Sequence, residues 1–569
     1  MTTTFKAPVA MESNTSVNEQ PVAKILDLPS ELLVNVASHL STVRLGYFRR
    51  TCKTIERALF DSFAREFFTK RQFSIEEVSL QTLIDISKHD VLSRRLSEVI
   101  ISLERFSSAA AHPNAEAVYH QLYGQALIDT GRARDMLVEA FSNLPNVRII
   151  GLRDYNARGR LREGDMAVWK SYGWTSIHPQ FATMRAGSPT PQQFAVRNHI
   201  DLSLRGYNEH SPATVLPLTM FALGRANVRL DSIEVFLRKQ CLTPDTLKVL
   251  QDGFLSGTVK PLVSGLKKVM LTLGLERDSG HGAPHLPTTD FDPIDAPLKH
   301  FLHKTTNIDT LRLNFQTQQY YCNPILEWLG RKSISQSRAD PLVHPPVLAN
   351  LTTLEIGMAQ VTAPTLLNLL CKVGGRLHTL SLWRIALLHR NDVTDPNSPE
   401  MWPALLQAFA NSLPNNSPLQ KIMIGHAQEQ GRPGKNEIHH ASFRLDEGIV
   451  TAAGLTSYNV TETVLFKASL THTSVKDWLK DIVERFMLPN RDEMHDSEDD
   501  EVYDLDDEES ESEFDEEDWE EHLEDAYDSD LEDGHNSELD GRAEGDDLSS
   551  EQFSNIGYHY CVGEGPELT

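Results

Sequence analysis

Between residues 96 and 424 the chain returns eight times to one short apolar pattern, L-x-x-[LIV]-x-[LIV], with Ile once in the first place. The segments are LSEVII (96–101), LPNVRI (144–149), LDSIEV (230–235), LKKVML (266–271), IDTLRL (308–313), LTTLEI (351–356), LHTLSL (377–382) and LQKIMI (419–424). Alternating apolar positions over so few residues predict strands. Several of the stretches between them open on a polar residue followed by proline: SPA (211–213), TPD (243–245), NPI (323–325) and SPE (398–400). APT (363–365) follows Thr362, a possible cap. Proline in a first helical turn costs no hydrogen bond, because that N–H has no partner in the helix anyway. Helix-like runs such as DTLKVLQDGFL and APTLLNLLCKV come next. The predicted fold class is therefore α/β.

The strand starts are 48, 86, 36, 42, 43, 26 and 42 residues apart. The 26-residue unit LTTLEIGMAQVTAPTLLNLLCKVGGR has the length of a leucine-rich repeat. The longer units read as the same unit with inserted loops. The 86-residue one would hold an extra helix and an excursion around RGRLREGDMAVWKSYGW. A helix–strand unit cannot bury its apolar face alone, so stacked units would share one core in an irregular αβ solenoid over 71–430. The alternative is an ordinary α/β domain with a central sheet. A doubly wound sheet usually has evener spacing and a Gly-rich phosphate loop, and the sequence has neither.

With 569 residues the chain is too long for one compact core. The expected organisation is a polar leader (1–22), a dense helical block (23–70), the repeat region (71–430), a closing piece (431–490) ending in SVKDWLKDIVERFML, and a tail (491–569). No apolar run reaches the 18 or so residues that span a bilayer, so no membrane association is expected. The N-terminus lacks the charged-then-apolar pattern of a signal peptide. Cys52, Cys241, Cys322, Cys371 and Cys561 are scattered, with no CxxC pair. That suggests neither disulfide framework nor zinc site and points to a reducing compartment, cytosol or nucleus.

The net charge of −26 divides sharply. Residues 491–550 hold 31 Asp and Glu against two Arg, while the 490 residues before them carry a net +6. Such a tail cannot bury enough apolar surface to fold alone. It reads as a solvated, solubilising segment, as a binder of basic proteins, or as a segment that folds back over the basic body. Phe514, Trp519, Leu523 and Tyr527 would supply apolar anchors. Ser497, Ser510, Ser512, Ser529 and Ser537 each have an acidic residue three places on, the pattern of acid-directed protein kinases.

Motifs for catalysis are missing. The sequence has no phosphate loop, no G-x-S-x-G, no H-E-x-x-H and no G-x-G-x-x-G. GRPGK (431–435) is too short for a phosphate loop and reads as a turn. His439 and His440 are adjacent and would point to opposite faces of a strand, which disfavours a shared metal. HGAPHLPTTDFDPID (281–295) reads as an exposed loop. No catalytic residue, metal or cofactor is expected, and the protein is read as a non-enzyme. Nucleic-acid binding is not expected either. FTKRQF (68–73) and LSRRLSEVI (92–100) are short, and the tail would repel phosphates.

The helical block opens with DLPSELLVNVASHL (27–40). Pro29 suits a first turn, Glu31 suits the positive end of the helix dipole, and Leu32, Leu33, Val36, Ala37 and Leu40 form one apolar stripe. STVRLGYFRR follows, capped by Ser41 or Thr42, and then CKTIERALFDSFAREFF. Three helices in so few residues leave apolar surface that a following domain or another protein must cover.

Leu28-Pro29-x-Glu31-Leu32-Leu33-x-x-Val36-x-x-His39-Leu40, then Leu45, then Cys52-Lys53, resembles the F-box. The continuation TCKTIERALFDSFAREFF is similar to that of F-box proteins from filamentous fungi. Arg44 and Thr51 depart from the family pattern. The resemblance implies a substrate receptor of an SCF-type ubiquitin ligase. The box would dock on a Skp-family adaptor, and through it a cullin, while the repeats hold an as yet unidentified protein substrate. Carried over position by position, the adaptor contacts would be Leu28, Pro29, Leu32, Val36, Leu40, Leu45, Cys52 and Ile55. The alternative is a non-ligase scaffold in which the helices cap the repeats and the tail binds basic partners.

Overall fold

The computed structural model describes residues 25–104, 124–156, 162, 170–172, 210–243, 246–247, 253–274, 296–316, 322–332, 344–389, 400–430, 438–444, 462–463, 465–470 and 474–487. The leader, the loop at 281–295, GRPGK and the acidic tail with its five serines lie outside the described residues.

Three helices come first: α1 (Ser30–Ser38), α2 (Thr42–Arg50) and α3 (Lys53–Phe68). Then strands and helices alternate. The strands are β1 (Lys70–Ser74), β2 (Glu98–Ser102), β3 (Ile149–Arg153), β4 (Ser232–Phe236), β5 (Lys268–Leu273), β6 (Thr310–Phe315), β7 (Thr353–Gly357), β8 (Gln360–Thr362), β9 (Thr379–Trp383), β10 (Ala386–Leu388), β11 (Lys421–Gly425) and β12 (Gln428–Gln430). Between and after them come α4 (Glu77–Lys88), α5 (Leu92–Arg95), α6 (Arg132–Ser142), α7 (Pro212–Arg225), α8 (Gly253–Ser264), α9 (Ala296–Lys304), α10 (Cys322–Gly330), α11 (Ala363–Val373) and α12 (Met401–Ser412). The closing piece supplies β13 (Ile438–His440), β14 (Ser442–Arg444), β15 (Glu462–Thr463), β16 (Leu465–Ser469), α13 (Val475–Arg485) and β17 (Phe486–Met487).

Among the described residues the main sheet has ten strands in the order β1-β2-β3-β4-β5-β6-β7-β9-β11-β16. All neighbours are parallel except β16, which closes one edge antiparallel to β11. Strand follows strand in chain order, and the register does not drift. Lys70, Glu98, Ile149, Ser232, Lys268, Thr310, Thr353, Thr379 and Lys421 lie side by side. The cause is visible just before each strand. The Thr69 carbonyl accepts the N–H groups of Ser97 and Glu98, and the Ser97 carbonyl those of Arg148 and Ile149. The same doubled bond recurs from Arg148, Asp231, Lys267, Asp309, Thr352 and His378 to the next unit, at 2.7–3.2 Å. Each unit thereby satisfies the backbone donors of its successor and fixes its height.

The eight apolar segments mark these units. Seven start two residues ahead of a strand, and the leading Leu or Ile (96, 230, 266, 308, 351, 377 and 419) is buried each time. LPNVRI is the exception. The strand occupies 149–153, so the equivalent segment is VRIIGL (147–152), three residues later. Leu144 and Val147 are both apolar, so the pattern matches in two registers. Strand side chains alternate between two surroundings. Val99, Ile101, Ile150, Leu152, Ile233, Val235 and their counterparts join the helices in one continuous core. Along this face α4 packs on α6, α6 on α7, α7 on α8, α8 on α9, α10 on α11, α11 on α12 and α12 on α13.

The last three units add a second sheet, β8-β10-β12 parallel with β13 antiparallel at one edge. Between main and second sheet each unit turns through one left-handed residue: Met358 (φ 52°), Arg384 (φ 49°) and His426 (φ 47°). This conformation costs a non-glycine residue about 1 kcal/mol. It recurs at one place in three units, where the chain must change direction. At the other edge β8 is finished by side chains. Cys322 Sγ accepts from the Gln360 N–H (3.2 Å) and Asn323 Oδ1 from the Thr362 N–H (3.1 Å).

From β12, Glu429 caps α12: its Oε2 accepts from the Met401 N–H (3.0 Å) and the Trp402 N–H (3.3 Å). Trp402 is itself fully buried, and its Nε1 donates to the Gln428 carbonyl at 2.8 Å. Glu429→Ala removes the acceptor for both helix N–H groups. It should lower stability by about 2 kcal/mol in urea denaturation followed by tryptophan fluorescence. Glu429→Gln keeps an acceptor oxygen and should lose less.

Candidate functional site

The first three helices divide their apolar residues between a small core and solvent. On α1, Leu33 and Ala37 point inward, while Leu32 and Val36 are 49 % and 41 % exposed. On α2, Leu45 is buried, while Val43 and Tyr47 are exposed. On α3, Ile55 and Leu59 complete the small core. Ile25 and Leu26, ahead of α1, are also exposed. Among the described residues nine large apolar side chains are exposed, and six of them lie within this 23-residue window. Scattered exposed apolar residues are ordinary; a run of them on one small unit marks an interaction surface.

The residues expected to contact an adaptor fall into three groups. Pro29, Leu32 and Val36 are exposed on the outward face. Leu28, Leu40 and Cys52 are half-buried and packed against the core. Leu45 and Ile55 are buried in the helices' own core. A unit this small has few residues with which to build a core, and these two are spent on it. Conversely, Ile25, Leu26, Val43 and Tyr47 belong to the exposed face and were not singled out from the sequence. The i, i+4 pairing of Val43 with Tyr47 was the available signal.

Local capping fixes the helices. Ser41 Oγ accepts from the Arg44 N–H (3.4 Å) at the start of α2. Pro29 stands at the N-cap of α1, one place ahead of its first turn. The Arg49 guanidinium lies 3.5 Å from the Phe63 ring centroid and binds α2 to α3.

Arg162, far away in sequence, ties these helices to the body. Its Nη1 donates to the carbonyls of Ala37 (2.5 Å) and Leu40 (2.8 Å), and its Nε and Nη2 pair with Glu66 of α3. A helix end exposes unsatisfied carbonyls, and a guanidinium fork suits them. Arg162→Ala should free the end of α1. Hydrogen–deuterium exchange of residues 33–40 should rise at least about tenfold while the sheet amides stay protected. Unchanged exchange there would mean the clamp carries no load.

The sheet face turned away from the helices is lined with polar and charged residues. Lys70 pairs with Glu98 (3.3 Å), Lys268 with Glu234 (3.1 Å), and Arg312 with Glu355 (3.8 Å). Burial pushes the Glu98 carboxyl above its ordinary range despite Lys70. Burial acts the same way on Glu234, but Lys268 and Lys70, with hydrogen bonds from Ser232 and Lys268, outweigh it and hold that carboxyl low. Two apolar islands interrupt this face: Tyr155, Phe236 and Met270, and Trp383, Met423 and Leu465. Gly425 makes room for Trp383, since a Cβ there would meet the ring at 2.3 Å. Arg238 stacks on Tyr155 at 3.8 Å and Arg312 lies over Phe236 at 4.8 Å.

Among the described residues no group of His, Cys, Asp and Glu is placed to hold a metal, and no helix is long and apolar enough to cross a membrane. Ser497, Ser510, Ser512, Ser529 and Ser537 lie outside the described residues. No curated protein matches the chain. The exposed apolar face and the helices beneath it coincide with residues 25–62, which match the F-box domain, so the chain carries an F-box, in general the adaptor-binding element of SCF-type substrate receptors.

Proposed function

We propose that the protein is a non-catalytic substrate receptor of an SCF-type ubiquitin ligase. The single observation that carries this reading is the exposed apolar face of the F-box, Ile25, Leu26, Leu32, Val36, Val43 and Tyr47. A Skp-family adaptor covers it, with Pro29 at its edge and Leu28, Leu40 and Cys52 packed beneath. Burying a Leu-sized side chain contributes about 1.5–3 kcal/mol, so a few such anchors support a specific complex after association costs.

The sheet region acts as a leucine-rich-repeat-like solenoid that holds a protein substrate. The unshifted register and the repeated backbone ladder support this part of the reading. The receptor works by proximity, raising the local concentration of substrate lysines near the charged ubiquitin-conjugating enzyme. The Arg162 clamp suits that role, since a receptor must keep a fixed distance between adaptor and substrate. The scattered cysteines fit a cytosolic or nuclear location.

Mixing the purified chain with a Skp-family adaptor and the N-terminal half of a cullin tests the reading. One complex of all three on size exclusion is expected. A chain that elutes alone at micromolar concentration would sink it, and would favour the scaffold in which the helices only cap the sheet.

A further inference from the structure

We propose that the F-box face is also the docking site of this chain's own acidic segment, residues 513–527, which competes there with the adaptor. The competition rests on the function proposed above; the intramolecular contact does not.

Residues 42–57 hold Arg44, Arg49, Arg50, Lys53 and Arg57 against Glu56, a net +4, and with Asp27 and Glu31 the stretch 25–57 carries +2, so the positive charge lies at the α2–α3 end of this unit. Arg44, Lys53 and Arg57 are exposed, and so are Val43 and Tyr47, which share α2 with Arg44. The surface is therefore both apolar and basic. Residues 513–527, EFDEEDWEEHLEDAY, are its complement. Phe514, Trp519, Leu523 and Tyr527 supply apolar groups, the last three spaced four apart, and acidic residues surround them. Cations on the same small unit as apolar anchors favour such a partner over neutral or basic segments.

Reach is sufficient. The last described residue, Met487, is on β17, beside β14 and α13 at the closing end of the chain's fold. Ten strands at about 4.8 Å spacing place β1, next to the F-box, about 43 Å from β16. A chain of 32 residues, the separation of Met487 and Trp519, can extend to about 100 Å, more than twice that distance. Tethering makes the contact intramolecular, so a weak contact suffices. Phosphate on Ser512 or Ser529, which flank the segment, would strengthen it.

A zero-length crosslink on the full chain tests this. A carbodiimide joins the Lys53 amine to a neighbouring carboxylate and takes up the water released. Mass spectrometry is expected to find Lys53 joined to an acidic residue of 513–525, independent of protein concentration and lost in 0.5 M salt. The triple variant Trp519→Ser, Leu523→Ser, Tyr527→Ser should lose it at low salt. Absence of the link, its appearance only between molecules, or its persistence in the triple variant would overturn the proposal. Adding a Skp-family adaptor should suppress the link, and the triple variant should bind adaptor about tenfold more tightly at low salt. A link that forms but ignores the adaptor leaves the intramolecular contact standing and overturns the competition. An adaptor that binds while no link ever forms does the reverse, upholding the receptor reading and overturning the contact.

Discussion

Changing Leu32 and Val36 together to Asp should abolish adaptor binding and leave the protein folded. Both side chains are exposed, at 49 % and 41 %, so neither contributes much to the core. Exposed substitutions of this kind cost the fold about 0.5 kcal/mol or less. In the complex the same two side chains would be buried. Losing two apolar anchors removes about 3–6 kcal/mol, a factor of roughly 10² to 10⁴ in affinity. The two carboxylates would in addition have to be desolvated, which costs more. Isothermal titration with the adaptor reads the affinity, and circular dichroism reads the fold. The control is Leu33→Asp, one residue along the same helix. Leu33 is buried, so this change should melt the three-helix unit and lose binding for a different reason, visible in the dichroism. Binding of the double variant within tenfold of the unaltered chain would exclude this face as the adaptor site.

The contrast between Leu32 and Leu33 also shows what the sequence could disclose. DLPSELLVNVASHL announces a helix with an apolar stripe, and α1 lies within that stretch. The stripe was too wide to belong to one surface. It divides into Leu33 and Ala37, which build the core, and Leu32 and Val36, which face out. Periodicity places residues on a helix, but a partner's side and the protein's own side look alike when both are apolar. The sheet was more legible because its spacing is set by a local pattern. A buried Leu or Ile two residues ahead of the strand recurs in seven units, and only LPNVRI, with two apolar residues three apart, gave the wrong register.

Other features left no local signature. β1 follows α3 directly, with Lys70 and Arg71 at its start, and FTKRQF reads as a short basic stretch and not as a strand. The second sheet is made of strands of three residues, too short for alternation to register. Arg162 sits in an insertion and acts on residues more than 120 positions away. Long-range pairings of that kind are decided by tertiary geometry alone.

The second large effect lies on the polar face of the sheet. Arg312 on β6 and Glu355 on β7 occupy adjacent places in one register row, with side chains 4 % and 1 % exposed. Such a pair contributes little net stability, because both charges lost their water on burial. Removing one partner is another matter. Glu355→Ala takes one carboxylate away from the Arg312 guanidinium, buried over the Phe236 ring, and should cost about 3–5 kcal/mol. Changing both, Arg312→Met with Glu355→Leu, removes the charges together and should recover most of that loss. Urea midpoints of the three variants against the unaltered chain decide it. The ordering, with the double variant more stable than the single, is what the buried pair requires and what an exposed pair would not give. A loss below about 1 kcal/mol for Glu355→Ala would mean that water reaches this row of the sheet. The polar face between β6 and β7 would then be an open surface with its charges solvated, and a substrate could use them directly.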